Sequence, residues 1–292
     1  MKPHPPIIRR TESHFVSAGG RTLFRRAWIP ERVDRVLLLV HGICEHSGRY
    51  EAIGRWFAER HSAVHAFDHQ GHGRASGRRG HVRRFGHLLD DLESIFVAVE
   101  SEHRGLPVFP VGHSIGWLVV TEFLRRKPAV AGAVISGAAL ALPPSITAPR
   151  VLALRSASCL APYWRIASRI DTDTLSRDPA VGAAYLEDPL VLSHMTLGLA
   201  SELFGTIRRA AQGAADIEVP TLVLHGEDDP ICPVEGSRSF ANALAPRSEL
   251  RIYPGLRHEI FNEPEREAIF EDIADWLRRH AEFVASPQAA PG

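Results

Sequence analysis

The sequence predicts an α/β fold in which a mostly parallel central sheet is flanked by helices and interrupted by an inserted helical segment. Three observations predict it. Short apolar runs rich in β-branched residues recur along the chain, and runs apolar at every position suit parallel strands covered on both faces. Helical patterns fall between these runs in the alternating order of βαβ units. The alternation breaks once, between about residues 137 and 215, where prolines recur and helical patterns are short.

The first buried strand pattern is 36–40 (VLLLV), and others follow at 63–67, 108–111, 130–135, 221–224 and 250–253. An earlier segment, 21–28, alternates more and reads as an antiparallel edge strand. Helical patterns occupy 50–60, 85–101, 115–126, 234–243 and 264–280. In the last, Ile269, Ile273, Trp276 and Leu277 recur at i, i+4, i+7 and i+8, which makes one apolar face. A discontinuous core of residues 1–136 and 216–292 therefore encloses an insertion, 137–215. The insertion holds prolines at 143, 144, 149, 162, 179 and 189 but stays apolar and is not Gly/Ser-rich, so it reads as a helical subdomain and not a linker. The tail 285–292 (ASPQAAPG) reads as disordered.

Composition narrows the function. At 292 residues a single large domain buries roughly three quarters of its unfolded surface and needs no staples. The 34 basic residues balance 34 acidic ones, which argues against nucleic-acid binding and against electrostatic attraction to anionic lipid. Hydrophobic content of 45% excludes a mostly disordered chain. Three cysteines, Cys44, Cys159 and Cys232, make neither a disulfide framework nor a CxxC zinc pair. The first ten residues lack an apolar h-region, and the longest nearly uncharged stretch, 130–144, is too short and broken to span a bilayer. A cytoplasmic location is expected.

The chemistry starts at Gly112-His113-Ser114-Ile115-Gly116, a G-x-S-x-G between an apolar strand and a helix pattern. A nucleophilic serine there must sit on a sharp, strained turn, and the flanking glycines let strand and helix approach closely. A serine hydroxyl needs a base, which an acid must orient. The chain order in such a fold is Ser, acid, His. Glu227, Asp228 and Asp229 follow the strand at 221–224, and Asp229 is the favoured acid with Asp228 second. His258 follows the last strand and is the expected base. Backbone N–H groups of Ile115 and of Ile43, in the turn after VLLLV, are the expected oxyanion donors.

The chain resembles the monoacylglycerol lipase and lysophospholipase branch of the α/β-hydrolases. The resemblance runs through HGICEHSGRY (41–50), FDHQGHGRASG (67–77), the GHSIG elbow, LSRD (175–178) and DPL (188–190) within the insertion, HGEDDPICP (225–233) and HEIFNEP (258–264). It spans roughly residues 13–279. It implies the α/β-hydrolase fold, supports Asp229 over Asp228 and Ile43 as oxyanion residue, and makes 137–215 a cap. Trp117 departs from the family, which usually has a small residue after this elbow glycine; its ring either narrows an acyl tunnel or packs beneath the cap.

The expected activity is hydrolysis of single-chain lipid esters, monoacylglycerol first, through an acyl-enzyme on Ser114 with no metal or organic cofactor. The ester preference comes from the resemblance; the triad alone says acyl transfer. Alternatives are a lysophospholipase, a general carboxylesterase, a small-peptide hydrolase and, from another class, a non-catalytic small-molecule binder. A dehalogenase is disfavoured because the elbow carries a serine and not a carboxylate. The insertion is expected to form an apolar acyl channel whose outer edge makes transient contact with a lipid surface. Glu45, His46 and Arg49 are expected to brace the oxyanion loop. Arg74, Arg78, Arg79, Arg83 and Arg84 read as a solvated loop and helix start, with a phosphate site as the weaker reading. Cys44 and Cys232 read as buried space-fillers.

Overall fold

The chain enters its main sheet through two antiparallel strands, β1 (Ile8–Val16) and β2 (Thr22–Pro30). Then come β3 (Arg35–Val40), α1 (Glu51–Ala58), β4 (Ser62–Asp68), α2 (Gly86–Glu102), β5 (Val108–His113), α3 (Ile115–Leu124) and β6 (Ala133–Ser136). An excursion follows through α4 (Ala148–Leu160), β7 (Arg165–Ala167), α5 (Pro179–Glu187), β8 (His194–Thr196) and α6 (Leu197–Gly213). The chain returns through β9 (Thr221–Gly226), α7 (Val234–Leu244), β10 (Ser248–Tyr253) and α8 (Arg266–Ala281). This computed structural model describes residues 6–140, 147–168 and 170–281.

Eight strands form the main sheet in the order β1-β2-β4-β3-β5-β6-β9-β10. From β4 to β10 every neighbouring pair is parallel, and β2 runs antiparallel to both β1 and β4. Successive side chains of β3 point to opposite faces. Val36, Leu38 and Val40 join a core with α2, α3, α6 and α7, while Leu37 and Leu39 join a second core with α1 and α8. All five are buried, and each such side chain contributes about 1.5–3 kcal/mol. Two-sided cover is the reason VLLLV shows no polar alternation. In α8 the predicted stripe of Ile269, Ile273, Trp276 and Leu277 is buried in the second core.

The sequence reading is corrected in four places. The segment at 21–28 is antiparallel but not an edge: β2 lies between β1 and β4, and β1 is the edge. β1 escaped notice because seven of its nine residues are exposed, so it has no apolar face to alternate. Its Arg9, Arg10 and Glu12 suit an edge that must not recruit further strands. β6 starts at Ala133 and not Val130, because the Val130 N–H folds back onto the Pro128 carbonyl. The excursion read as helical also holds a small antiparallel pair, β7 with β8. Pro143, Pro144 and the tail 285–292 lie outside the described residues.

Helix α3 approaches β3 so closely that a Cβ on Gly116 would stand 2.0 Å from the Val40 carbonyl oxygen, and one on Gly112 would stand 2.5 Å from the Gly116 carbonyl oxygen. Both obstacles are backbone and cannot rotate away. Gly116→Ala is therefore expected to lower the melting temperature by several degrees, since overpacking costs about 1–3 kcal/mol. A thermal melt indistinguishable from wild type would overturn this account of the motif's glycines.

Candidate active site

Strand β5 ends at His113 and α3 begins at Ile115, which leaves Ser114 alone on the turn at φ 51°, ψ −123°. A positive φ on a residue with a Cβ costs about 1–3 kcal/mol and persists only where surroundings enforce it. Here the Ser114 N–H donates to the Ser136 carbonyl of β6 at 2.9 Å, and the Trp117 N–H donates to the Ser114 carbonyl at 2.9 Å. Ile115 is the first helical residue. Its N–H has no acceptor four residues back and lies at the positive end of the helix dipole.

Ser114 and His258 line one cavity of about 50 Å³, together with Gly42, Ile43, Ile170, Leu175, Tyr185 and Ile231. The His258 Nδ1–H donates to Asp229 Oδ2 at 2.7 Å, which leaves Nε2 as the free nitrogen. The other Asp229 oxygen accepts the N–H groups of Ile231 and Cys232 at 2.8 and 2.9 Å. Burial pushes the Asp229 carboxyl up, but the His258 charge and the hydrogen bonds outweigh it and hold it well below the usual carboxylate range. Burial pulls His258 down, and Asp229 more than reverses this, so its pKa is raised. Of the three acids in the turn, Asp229 alone is buried; Glu227 and Asp228 are exposed. The structure therefore brings Ser114, His258, Asp229, Ile43 and Ile115 to one end of the sheet.

A partly buried arginine joins the two loops that carry this chemistry. Arg49 grips Glu259, the neighbour of His258, with two bonds of 2.6 and 2.8 Å, and reaches Glu45 at 3.0 Å. Glu45 in turn accepts the Gly42 N–H at 2.6 Å and the Tyr50 hydroxyl at 2.8 Å. Burial pushes the Glu45 carboxyl up despite Arg49, while on Glu259 burial loses to the Arg49 charge and the carboxyl is held down. Glu45 and Arg49 thus brace the turn as expected. His46 braces the loop too, its Nδ1 accepting the Gly48 N–H at 3.1 Å, and its Nε2–H also donates to Asp188, at the end of α5, at 2.7 Å. Sequence reasoning missed Asp68, which accepts the Ser47 and Arg74 N–H groups at 2.8 and 2.7 Å and so ties together the loops after β3 and β4. Its place in FDHQGHG was the available signal.

The excursion between β6 and β9 is bonded to the same loops. The Leu192 N–H donates to the Cys44 carbonyl at 2.8 Å, and the Glu259 N–H to the Leu175 carbonyl at 2.7 Å. Trp117 is fully buried, edge-on to Phe240 of α7 with ring centroids 5.5 Å apart. It is core packing and does not line the cavity of Ser114. Burial pushes the Cys44 thiol up to about 11 and raises Cys232 as well, which fits space-fillers better than nucleophiles. In the basic loop Arg74 pairs with Glu12, Arg79 donates to the Gly73 and Leu190 carbonyls, and Arg78 lies over Tyr163.

Two groups of side chains among the described residues have metal-ligand proximity. One is Asp229, Cys232 and His258, where the raised thiol and the closed Asp229–His258 bond leave no thiolate to bind a cation. The other is His65, Glu102 and His103, outside this site. There Arg25 donates to His65 Nδ1 at 2.7 Å, so the ring proton sits on Nε2, which faces His103 Nε2 at 2.9 Å. A hydrogen bond between the rings uses the lone pair a metal would need. In each group two of the ligand atoms are already hydrogen-bonded to each other.

Residues 31–265 match the family described as serine aminopeptidase, S33. The chain is 35% identical to a monoacylglycerol lipase of Mycolicibacterium smegmatis, over 93% of this chain and 98% of that one. It is 32% identical to the human monoglyceride lipase, over 94% and 93% of the two chains. Among solved structures, a monoacylglycerol lipase of Paleococcus ferrophilus superposes with a TM-score of 0.79 at 32% identity, over 88% of this chain and 99% of that one. The chain therefore belongs to the serine aminopeptidase S33 family, as an α/β-hydrolase and an ester hydrolase of the monoacylglycerol lipase branch.

Proposed function

We propose that the protein hydrolyses esters of single-chain lipids, monoacylglycerol to fatty acid and glycerol in the first place, through an acyl-enzyme on Ser114. The observation that carries this reading is the 2.7 Å bond from His258 Nδ1 to an ionised Asp229, beside a serine held at positive φ in the same cavity. His258 Nε2 takes the proton of Ser114 as the hydroxyl oxygen attacks the ester carbonyl, and passes it to the departing glycerol oxygen. A water then attacks the acyl-enzyme with the same histidine as base. Asp229 holds the imidazole in the required tautomer. The N–H groups of Ile43 and Ile115 meet the oxyanion, each such donor typically worth about 100- to 1,000-fold in turnover.

Residues 137–215 act in this reading as a cap over the core of 1–136 and 216–292. Ile170, Leu175 and Tyr185 from that segment close the cavity. The space that the described residues enclose there is about 50 Å³, room for a water or two, which supports a shift of the cap on substrate entry. The cap's outer side exposes Leu152, Leu160, Tyr163, Trp164 and Leu186, which supports transient contact of a cytoplasmic enzyme with a lipid surface. No described helix is long and apolar enough to cross a membrane. The polar wall favours an uncharged head group: Arg49, its one cation among the described residues, is already engaged by Glu45 and Glu259. This places monoacylglycerol ahead of lysophospholipid. A preference for lysophospholipids, short esters or aminoacyl amides over monoacylglycerols in a substrate panel would overturn the assignment.

Ser114→Ala is expected to remove p-nitrophenyl ester turnover, since loss of a triad nucleophile costs about a millionfold in a well-studied serine hydrolase. A fluorophosphonate should label wild type at Ser114; no adduct would favour a non-catalytic binder. The pH profile has a definite sign. His258 must be neutral to act, and Asp229 raises its pKa above the ordinary histidine value of 6.5. kcat/KM should therefore fall with acidification, with a midpoint above that of free imidazole. A flat profile between about pH 5 and 8 would refute His258 as the base.

A further inference from the structure

We infer that His225 and Ser237 form a positioning pair behind the triad carboxylate, a run of contacts Ser237–His225–Asp229–His258 that fixes the direction of Asp229. The inference rests on the reading of Ser114, Asp229 and His258 as a triad, and it concerns two residues outside that triad.

The donor and acceptor roles follow from the atoms present. His225 lies on β9 and Ser237 on α7, and both are fully buried. His225 Nε2 is 2.8 Å from the Cys232 carbonyl oxygen and 3.2 Å from Asp229 Oδ2. Both neighbours are acceptors, so Nε2 carries a hydrogen. Nδ1 is 2.6 Å from Ser237 Oγ, and in the neutral ring it accepts from that hydroxyl. Asp229 Oδ2 thus accepts the His258 N–H at 2.7 Å and has His225 Nε2, whose hydrogen goes to the Cys232 carbonyl, 3.2 Å away. Its Oδ1 holds two amide N–H groups.

Three donors and the His225 ring around one carboxylate leave it no second orientation. A buried histidine serving only as packing would be satisfied by the Cys232 carbonyl. The contact with Oδ2 adds the positive edge of an imidazole N–H beside the very oxygen that orients the base. Each N–H beside Oδ2 withdraws part of the negative charge that His258 meets. The groups facing His258 are Asp229, Glu259, Glu45 and His113, and those facing Asp229 are His258, His225 and Cys232. Among them His225 is the neighbour that can weaken the acid's pull on the base without touching the base itself.

The experiment measures the pH dependence of kcat and kcat/KM on p-nitrophenyl butyrate for wild type, His225→Phe, His225→Gln and Ser237→Ala. It also follows the low-field proton NMR signal of the His258–Asp229 hydrogen bond. His225→Phe removes the N–H. It should lower kcat about tenfold, as loss of an outer partner does at metal sites, leave KM near wild type, and raise the acid-limb midpoint by about half a pH unit. His225→Gln keeps a donor and should restore most of both. Ser237→Ala should move the midpoint the same way by less, and the low-field signal should shift in step with each midpoint. An unmoved midpoint and signal in folded His225→Phe would overturn the inference. If that variant does not fold, unmoved values in Ser237→Ala would overturn it. Failure of the underlying triad is separately visible, as wild type that a fluorophosphonate does not label at Ser114.

Discussion

Parallel pairing of β3, β5, β9 and β10 is the constraint on which the rest depends. Strands that run the same way release their loops at the same edge of a sheet. The loops after these four carry Ile43, Ser114, Asp229 and His258. Residues more than two hundred positions apart therefore meet without any local sequence preference for one another. The pairing also explains the glycines of the elbow. For a serine at the end of β5 to begin a helix at once, that helix must lie nearly against β3, and a hydrogen is the largest substituent that fits between Gly116 and the Val40 carbonyl.

A site built at such an edge is buried, and burial makes charge expensive. Removing one partner of a buried ion pair costs about 3–5 kcal/mol, because the other is left uncompensated. The protein answers with full partner sets. Asp229 has donors on both oxygens, and Arg49 is shared between Glu45 and Glu259. Satisfied networks of this kind hold geometry more than they add net stability. Here they hold the spacing between the turn that carries Ile43 and the loop that carries His258, since Arg49 touches a carboxylate in each.

The legible parts of this fold were those where one face or two were covered. β3, β5 and β9 announced themselves because both faces are buried, and α8 because one stripe is. β1 was illegible for the opposite reason: an exposed strand has nothing to hide from water, so Arg9, Arg10, Glu12 and His14 look like loop. The three-residue strands β7 and β8 are too short to show an alternation that stands out from loop. In the site, Ser114 and His258 were legible through their places after apolar strands, and Asp229 was narrowed by resemblance and distinguished from Asp228 by its burial. Arg49 to Glu259 is a contact across 210 positions, and no local pattern encodes it. His225 was hidden by its own strand: it sits in TLVLHG as one more buried residue, and only the positions of Asp229 and Ser237 give it a chemical direction.

Two classes of bond meet at this site, and they differ in what it costs to break them. The bonds within the core's own loops are dry: the side chains of Glu45, Glu259, Asp229 and His258 are each 7% exposed or less. The side-chain bonds that attach 137–215 to those loops are mixed: Ser176 donates to Glu263 with both side chains buried, whereas Asp188, which holds His46, is 26% exposed, and Arg177, which also holds Glu263, is 36% exposed. Water reaches one partner of the His46–Asp188 and Arg177–Glu263 pairs and screens them, but it reaches neither partner of the Asp229–His258 bond. A displacement of 137–215 would therefore disturb those two pairs first, and the donor set around Asp229 and the Arg49 bridge, which lie within the core's own loops, would keep their geometry through it.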